Sequence, residues 1–358
     1  MRKSFYVVLI LAVLGGMVEA EAQMSRRKIK QNNRRIATFR GKKFGFGKDK
    51  VYSTVGISLS AFNYYGDLSP KSGRLSTDLS FTRPGIGIHF THRFGPRYQL
   101  NAAFIYGAIK GGDAQSADKG DTDANFRYRR NLSFRNRIKE LSVVASMDLF
   151  ENQSTYISRA RWTPYAFAGL ALFHHNPQAQ VPEFQLDGVT RFSNAGEWVN
   201  LRDLGTEGQY ADLKKSDQNS GIQPYKLIQI AIPFGLGARF RVNQLMDFSV
   251  EFGFRYLFTD YLDDVSKNYV DLGVFDNELA KAMSYRGNEL KEVKSNPGML
   301  QTYTSTRKYG GTYSVIPGFG AEHRDNWRGN SRDKDTYMTT TFKLTYVIGK
   351  SFHRAKFR

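Results

Sequence analysis

The sequence predicts an all-β fold, a transmembrane antiparallel β-barrel of about eight strands with long extracellular loops. The first observation is the stretch 227–264. Ile228, Ile230, Ile232, Phe234, Leu236, Ala238, Phe240 and Val242 are apolar at every second position. After a turn at Asn243-Gln244 the alternation resumes in the same phase with Phe248, Val250, Phe252, Phe254, Tyr256 and Phe258. Period two means strand, with one apolar and one polar face. The second observation is length. Each run exceeds the ~5–6 residues of an ordinary soluble strand and reaches the ~9–11 that a tilted strand needs to cross hydrocarbon. The third is the chemistry of the two faces. The phenylalanine-rich face does not suit water, and Arg239, Arg241, Glu251 and Arg255 do not suit a dry core unless paired. Lipid outside and a polar, charge-paired lumen inside accommodate both.

Composition agrees. The chain has 358 residues, a net charge of +19 and no Cys. A mean hydropathy of −0.48 leaves no room for a bundle of membrane helices. The absence of Cys excludes a disulfide framework, a thiol site and a lipid-anchoring cysteine. The 27 Phe and 20 Tyr are enough to build aromatic girdles at two membrane surfaces.

Taken in order, residues 1–22 read as a signal peptide. Arg2 and Lys3 precede an apolar run from Phe5 to Leu14, and Ala20-Glu21-Ala22 supplies a small-x-small cleavage site. The run is too short to span a bilayer as a helix. Residues 23–50 form a basic arm that carries about half of the excess charge, including Arg26, Arg27, Lys28, Lys30, Arg34 and Arg35. Its lack of periodicity predicts disorder in isolation. Export argues against nucleic acid as its partner. Anionic lipid headgroups or an acidic periplasmic protein fit better, and a solvated leader is the alternative.

The barrel is expected over 51–352. Strand one covers 51–65, with Val55, Ile57, Leu59 and Ala61 outward. Strand two covers 85–94, with Ile86, Ile88, Phe90, His92 and Phe94 outward. After the tight turn Gly95-Pro96-Arg97, strand three covers 98–109, with Tyr98, Leu100, Ala102, Phe104, Tyr106 and Ala108 outward. A long loop, 113–137, is acidic in its first half and basic in its second. Strand four covers 138–150, with Leu141, Val143, Ala145, Met147 and Leu149 on the lipid face. Strand five covers 162–174 but has no clear phase, so its faces stay unassigned. A very long loop, 176–225, precedes the two strands of the opening hairpin. The longest loop, 260–335, precedes strand eight, 337–352, in which Met338, Phe342, Leu344, Tyr346 and Ile348 alternate with Thr339, Thr341, Lys343 and Thr345. Residues 353–358 are a short tail.

Connections alternate between short and long. Barrels of the outer membrane have short periplasmic turns and long outer loops, so an even strand number puts both termini in the periplasm. The two longest loops leave room for another hairpin, so ten strands is the alternative. The inward set is Arg93, Glu140, Asp148, Arg239, Arg241, Glu251, Arg255 and Lys343, both signs together, which predicts a buried ion-paired network of structural rather than functional meaning.

The remaining residues offer little chemistry. No nucleophile elbow, phosphate loop or cysteine metal site is present, and no cofactor or metal is expected. His174-His175, at the outer end of strand five, suit a lipid-modifying barrel enzyme only if an acid or nucleophile stands beside them. Asp260, Asp263, Asp264, Asp271 and Asp276 crowd one loop. Oxygen ligands at that density suit Ca²⁺, but the spacing fits no EF-hand. An Arg-paired loop base is the favoured reading, with Arg286 or Arg307 as partner. Asp276-Asn277 predicts a cap for a short helix over 278–285.

Three stretches resemble a family. They are Leu257-Phe258-Thr259-Asp260-Tyr261-Leu262-Asp263-Asp264-Val265-Ser266 with Tyr269-Val270-Asp271, then Tyr64-Tyr65-Gly66-Asp67-Leu68, then Arg328-Gly329-Asn330-Ser331-Arg332-Asp333-Lys334-Asp335. Together they resemble PorG-type outer-membrane barrels of type IX secretion. The residues carrying the pattern are Asp67, Thr259, Asp260, Tyr261, Asp263, Asp264, Asp271, Arg328 and Gly329. The resemblance implies a non-enzymatic component of the outer membrane. It would anchor or organise a periplasmic ring made of a lipoprotein and a soluble subunit. The basic arm and the very long third loop depart from that family. A structural or ligand-binding barrel without a secretion role is the alternative.

Overall fold

The computed structural model describes residues 50–69, 81–117, 122–152 and 157–348. The expected signal peptide, the arm residues Arg26, Arg27, Lys28, Lys30, Arg34 and Arg35, and the tail all lie outside the described residues.

In chain order the elements are β1 (Tyr52–Tyr65), β2 (Arg83–Arg93), β3 (Tyr98–Gly112), α1 (Asp113–Ser116), α2 (Thr122–Arg130), β4 (Ser133–Asp148), β5 (Trp162–His174), β6 (Pro177–Gln180), β7 (Trp198–Asn200) and α3 (Leu201–Leu204). Then come β8 (Ile228–Arg241), β9 (Met246–Leu257), α4 (Glu278–Ser284), α5 (Lys291–Ser295), β10 (Gln301–Thr304), β11 (Thr312–Val315) and β12 (Thr336–Ile348). Eight of these strands close on themselves. Each neighbour in the series β1, β2, β3, β4, β5, β8, β9, β12 is antiparallel to the next, and β12 returns to β1 from Ser53↔Ile348 to Tyr65↔Thr336. Closure leaves the wall no free edge. No helix among the described residues is long and apolar enough to cross a membrane; the strands do it, at 11–16 residues each.

Alternation decides which face meets lipid. Ile57 and Leu59 are 65% exposed and Leu236 is 62% exposed, although all three sit mid-strand. Aromatic side chains rim the band at both ends. Phe94, Tyr98, Phe150 and Trp162 stand at the short-turn end, and Tyr106, Tyr256 and Phe258 at the long-loop end. The short turns follow β2, β4 and β8. In the last, Asn243 Oδ1 accepts from the backbone of Leu245 and Met246, both at 2.8 Å, a side-chain turn that explains the break in the pattern.

Three expectations need correction. First, β4 begins at Ser133 rather than 138, because 133–137 pair with 108–112 of β3 and raise the wall into what reads as a polar loop. Second, β5 hides its phase because its inner face is apolar too. Trp162, Ala168, Leu170 and Leu172 point out, while Tyr165, Ala171 and Phe173 are buried within. Third, the lumen is not polar throughout. Its long-loop half is filled by Phe62, Ile105, Ile109, Phe134, Ile138, Phe173 and Tyr337.

The expected ion pairs form within the lumen. Arg93 and Arg239 share Asp148 at 2.5 and 3.3 Å at the short-turn end, and Arg255 grips Glu140 at 3.1 Å level with Ile105, Phe173 and Tyr337. Lys343 pairs with Glu251. Arg241 sits at the rim instead, donating to the Ile157 carbonyl at 3.5 Å. A cavity of about 20 Å³ among these groups is room for about one water.

The long loops contain strands, yet the barrel stays eight-stranded. The β6–β7 hairpin extends β4 beyond the wall through Arg135 and Asn136, and β10–β11 form a separate ribbon. These segments, with α4 and α5, fold over the long-loop end around a second apolar core that includes Tyr269, Leu272, Phe275, Tyr285, Val293, Ile316 and Phe319. The expected helix is present at 278–284, capped by Asn277 accepting from Leu279 at 2.8 Å.

Candidate functional site

Between the apolar half of the lumen and the cap lies a buried ionic layer, and six of the nine residues of the family pattern, Asp67, Asp260, Asp263, Asp264, Arg328 and Gly329, meet in it. Arg328 is at its centre, 2% exposed. Its Nη1 donates to Glu207 Oε1 at 3.1 Å and to the Asp264 carbonyl, and Nε to the Ser284 carbonyl at 3.3 Å. Nη2 lies 3.6 Å from Asp264 Oδ2. Glu207 Oε1 also accepts from the backbone of Ser266 at 2.9 Å and Lys267 at 3.0 Å. Asp264 accepts from the hydroxyls of Thr206 and Tyr225. It holds a left-handed backbone, φ 71°, a conformation Asp tolerates better than most residues. The chain reverses there, so that its carbonyl and its carboxylate both face Arg328.

A second arginine completes the layer. Arg130, at the end of α2, forks onto Asp113 at 2.8 and 2.9 Å and donates to the carbonyls of Arg328 at 2.7 Å and Asp67 at 2.6 Å. Asp67 Oδ2 in turn accepts from Asn330 at 2.9 Å. Gly329 is required by this approach. A Cβ there would lie 2.6 Å from the Ser266 nitrogen and 2.7 Å from Asp67 Oδ2. Gly66 meets the same demand, since a Cβ would fall 2.1 Å from the Tyr64 hydroxyl.

Beside the arginines is a patch of carboxylates. The Tyr64 hydroxyl lies 2.7 Å from Asp263 Oδ2 and 2.8 Å from Asp335 Oδ1. The remaining oxygens accept from the backbone of Val265 at 2.9 Å and Leu262 at 2.8 Å. Asp260 is 4% exposed, and neither of its oxygens has a hydrogen-bond partner. Burial pushes its carboxyl up to about 7, with the Ser266 hydroxyl and Lys334 opposing the rise. Burial raises Asp264 to about 6, held back by Arg328, and raises Asp263 and Asp335 well above the ordinary range.

The remaining candidates fall elsewhere. Thr259 Oγ1 accepts from the Tyr261 backbone at 3.2 Å at the edge of the layer, and the Tyr261 ring stacks on Tyr225 at 4.8 Å. Asp271 caps a single turn through Gly273 at 2.8 Å, and Asp276 is exposed. The partner of the acidic loop is Arg328, not Arg286 or Arg307. Arg286 pairs with Glu289 at 2.6 Å, and Arg307 with Asp217 and Glu322 at 2.8 and 3.0 Å. Among the described residues no three carboxylates or histidines gather as a metal's ligands. His175 is fully buried, stacked between Phe173 and Tyr225, and burial drives its imidazole down to about 4. A sealed, neutral ring packed among aromatics is not placed to work on lipid.

Arg130, Asp113 and Glu207 are not legible as site residues in the sequence. The opposed charges of 113–137 are the one signal for the first two. Glu207 stands in a stretch with no pattern. Tyr64 and Asp335 lie inside the stretches that carry the resemblance, but nothing in the sequence brings them together.

A family model described as a domain of unknown function, DUF6089, matches residues 47–188. No curated protein matches the chain. Three solved structures are similar. Neisserial surface protein A is 9% identical, with 83% of this chain and 96% of that one covered, at a TM-score of 0.30. The outer membrane protein OprG from Pseudomonas aeruginosa is 8% identical, with 85% and 98% covered, at 0.34. The attachment invasion locus protein Ail of Yersinia pestis is 7% identical, with 84% and 99% covered, at 0.30.

Proposed function

We propose that this barrel is a non-enzymatic scaffold of the outer membrane that anchors or organises a periplasmic ring of the type IX secretion machinery. The short turns and both termini face the periplasm, and the cap faces outward. The observation that carries the reading is the fate of the family pattern. Asp264 engages Arg328, Asp67 accepts from the Asn330 backbone and Asp263 meets Tyr64, contacts that bind cap to barrel and suit a rigid anchor better than a reaction centre. A filled lumen also suits a scaffold better than a pore. The partners are outer-membrane lipid, a ring lipoprotein and a soluble ring subunit.

The contact surface on the ring side is the basic arm. A stable interface usually needs ~800 Å² per partner, more than the turns at 94–97 and 242–245 offer. Neutralising Arg26, Arg27, Lys28, Lys30, Arg34 and Arg35 together should abolish co-purification of the periplasmic ring subunits while leaving the barrel inserted. High salt should weaken the native complex in the same way, because exposed charges are screened. Undiminished recovery would move the interface to the turn at 152–161. Failure to recover any ring component with the native protein would reject the secretion role. One observation favours a second reading, a barrel that binds a ligand outside: the cap has an apolar core of its own.

A further inference from the structure

We propose that the carboxylates at the barrel rim form a proton-operated latch, in which a proton held between Asp263, Asp335 and Tyr64 fastens the cap segments 259–271 and 330–335 to the end of β1. The latch is independent of any role in secretion. A phenol has one hydrogen to donate. The Tyr64 hydroxyl meets two carboxylate oxygens, on Asp263 at 2.7 Å and Asp335 at 2.8 Å. It can donate to one. The other contact is attractive only if that carboxyl carries a proton and donates to the phenol oxygen. The outer oxygens of both acids already accept backbone N–H groups, so the proton belongs at the tyrosine. Three segments distant in sequence thus share one proton.

Asp260 adds to the same demand. It is 4% exposed, and both oxygens are unpartnered. Ionised, it would be desolvated with only the nearby Ser266 hydroxyl and the exposed Lys334 to set against the loss. It is also the strongest like-charge neighbour of Asp335. The surrounding charges do not compensate. From α2, Arg130 is committed to Asp113. From the segment before β12, Arg328 is committed to Glu207 and Asp264, and Lys334 is exposed. Asp67, after β1, adds another carboxylate, and Tyr225 and Tyr261 add neutral hydroxyls.

Burial raises the folded values of Asp260, Asp263 and Asp335 above those of an unfolded chain. Their stabilising effect is therefore complete below about pH 4 and is lost as pH rises through the folded values, near 7 for Asp260. Asp264, raised by burial to about 6 against the pull of Arg328, gains its proton in the same mild acid. The latch is thus closed in mild acid and opens towards alkaline pH.

The test uses the full-length protein in lipid vesicles. Hydrogen exchange of 259–271 and 330–335, corrected for intrinsic rate, is compared at about pH 5.5 and about pH 8.5. Opening at least about tenfold more frequent at the higher pH is expected, equivalent to about 1.4 kcal/mol. Asp260→Asn and Asp335→Asn should each flatten that difference. Infrared spectra of the native protein should show the carbonyl stretch of a protonated carboxyl at neutral pH, reduced in Asp335→Asn. The infrared band and the native exchange profile require no variant, so a misfolded substitution leaves the test intact. Equal protection at both pH values, absence of the band, or an unchanged difference in both variants would overturn the latch. Full restoration of protection at the higher pH by calcium chloride would show a divalent cation in the proton's place, and would overturn it as well.

Discussion

At the scale of single residues, Arg328 shows how the layer holds. A guanidinium removed from water is tolerated only when its donor directions are used. Arg328 uses Nε, Nη1 and Nη2 against Ser284, Glu207 and Asp264. Arg328→Ala leaves two buried carboxylates without their cation and should destabilise the cap by about 3–5 kcal/mol. Arg328→Lys should fare little better, because an ammonium cannot span the same fork. Limited proteolysis of the cap, with the barrel's heat-modifiable mobility on gels as control, reads the effect. A cap as resistant as the native one would show that the pairs are incidental. Gly329→Ala changes no charge, yet its methyl carbon would meet the Ser266 nitrogen at 2.6 Å. Overpacking of that kind costs about 1–3 kcal/mol, and the same protease assay should register it.

At the scale of elements, the β8–β9 hairpin separates lipid from lumen residue by residue. Leu236 lies mid-strand on the lipid face, 62% exposed. Leu236→Arg should cost about 2–4 kcal/mol, the range for a cation near the bilayer midplane, measured by urea-dependent folding into vesicles. A cost below about 1 kcal/mol would place Leu236 near or beyond the edge of the hydrocarbon. Across the lumen, Arg255 of β9 and Glu140 of β4 are joined by two hydrogen bonds at 3.1 and 3.2 Å, and Tyr337 of β12 donates to Glu140 at 2.6 Å. Arg255→Met alone should lose about 3–5 kcal/mol, whereas adding Glu140→Gln should recover most of it. If the double variant is no better than the single one, the pair contributes more than charge neutralisation.

At the scale of the whole molecule, the orientation proposed above is open to a direct experiment. The chain has no Cys, so single cysteines report cleanly. Ser220 and Ser295 are exposed on the cap, whereas Asn219 is 5% exposed and would give a false negative. Ser220→Cys and Ser295→Cys should react with an impermeant maleimide on intact cells, and Asn33→Cys in the arm should not. The reverse pattern would invert the barrel in its membrane and remove the periplasmic reading of the arm.

The wall of the barrel was legible in the sequence because its code is local. A strand between lipid and lumen must alternate, and seven of the eight wall strands announce their phase in consecutive residues. The exception, β5, is silent because Tyr165, Ala171 and Phe173 make its inner face as apolar as its outer one, so alternation carries no contrast. The Asn277-capped helix and the acidic–arginine character of the candidate site were also legible, the first from capping chemistry and the second from resemblance. The tertiary structure alone decided the partnerships. Arg328 is 121 residues from Glu207, and Tyr64 is 271 from Asp335. No periodicity connects such positions, and Arg286 and Arg307 were equally basic on paper. Barrel closure chose between them. By joining β12 to β1 it sets Asp335 against Tyr64, and by stacking the loops on an apolar half-lumen it buries Arg328 among acids it could not otherwise reach.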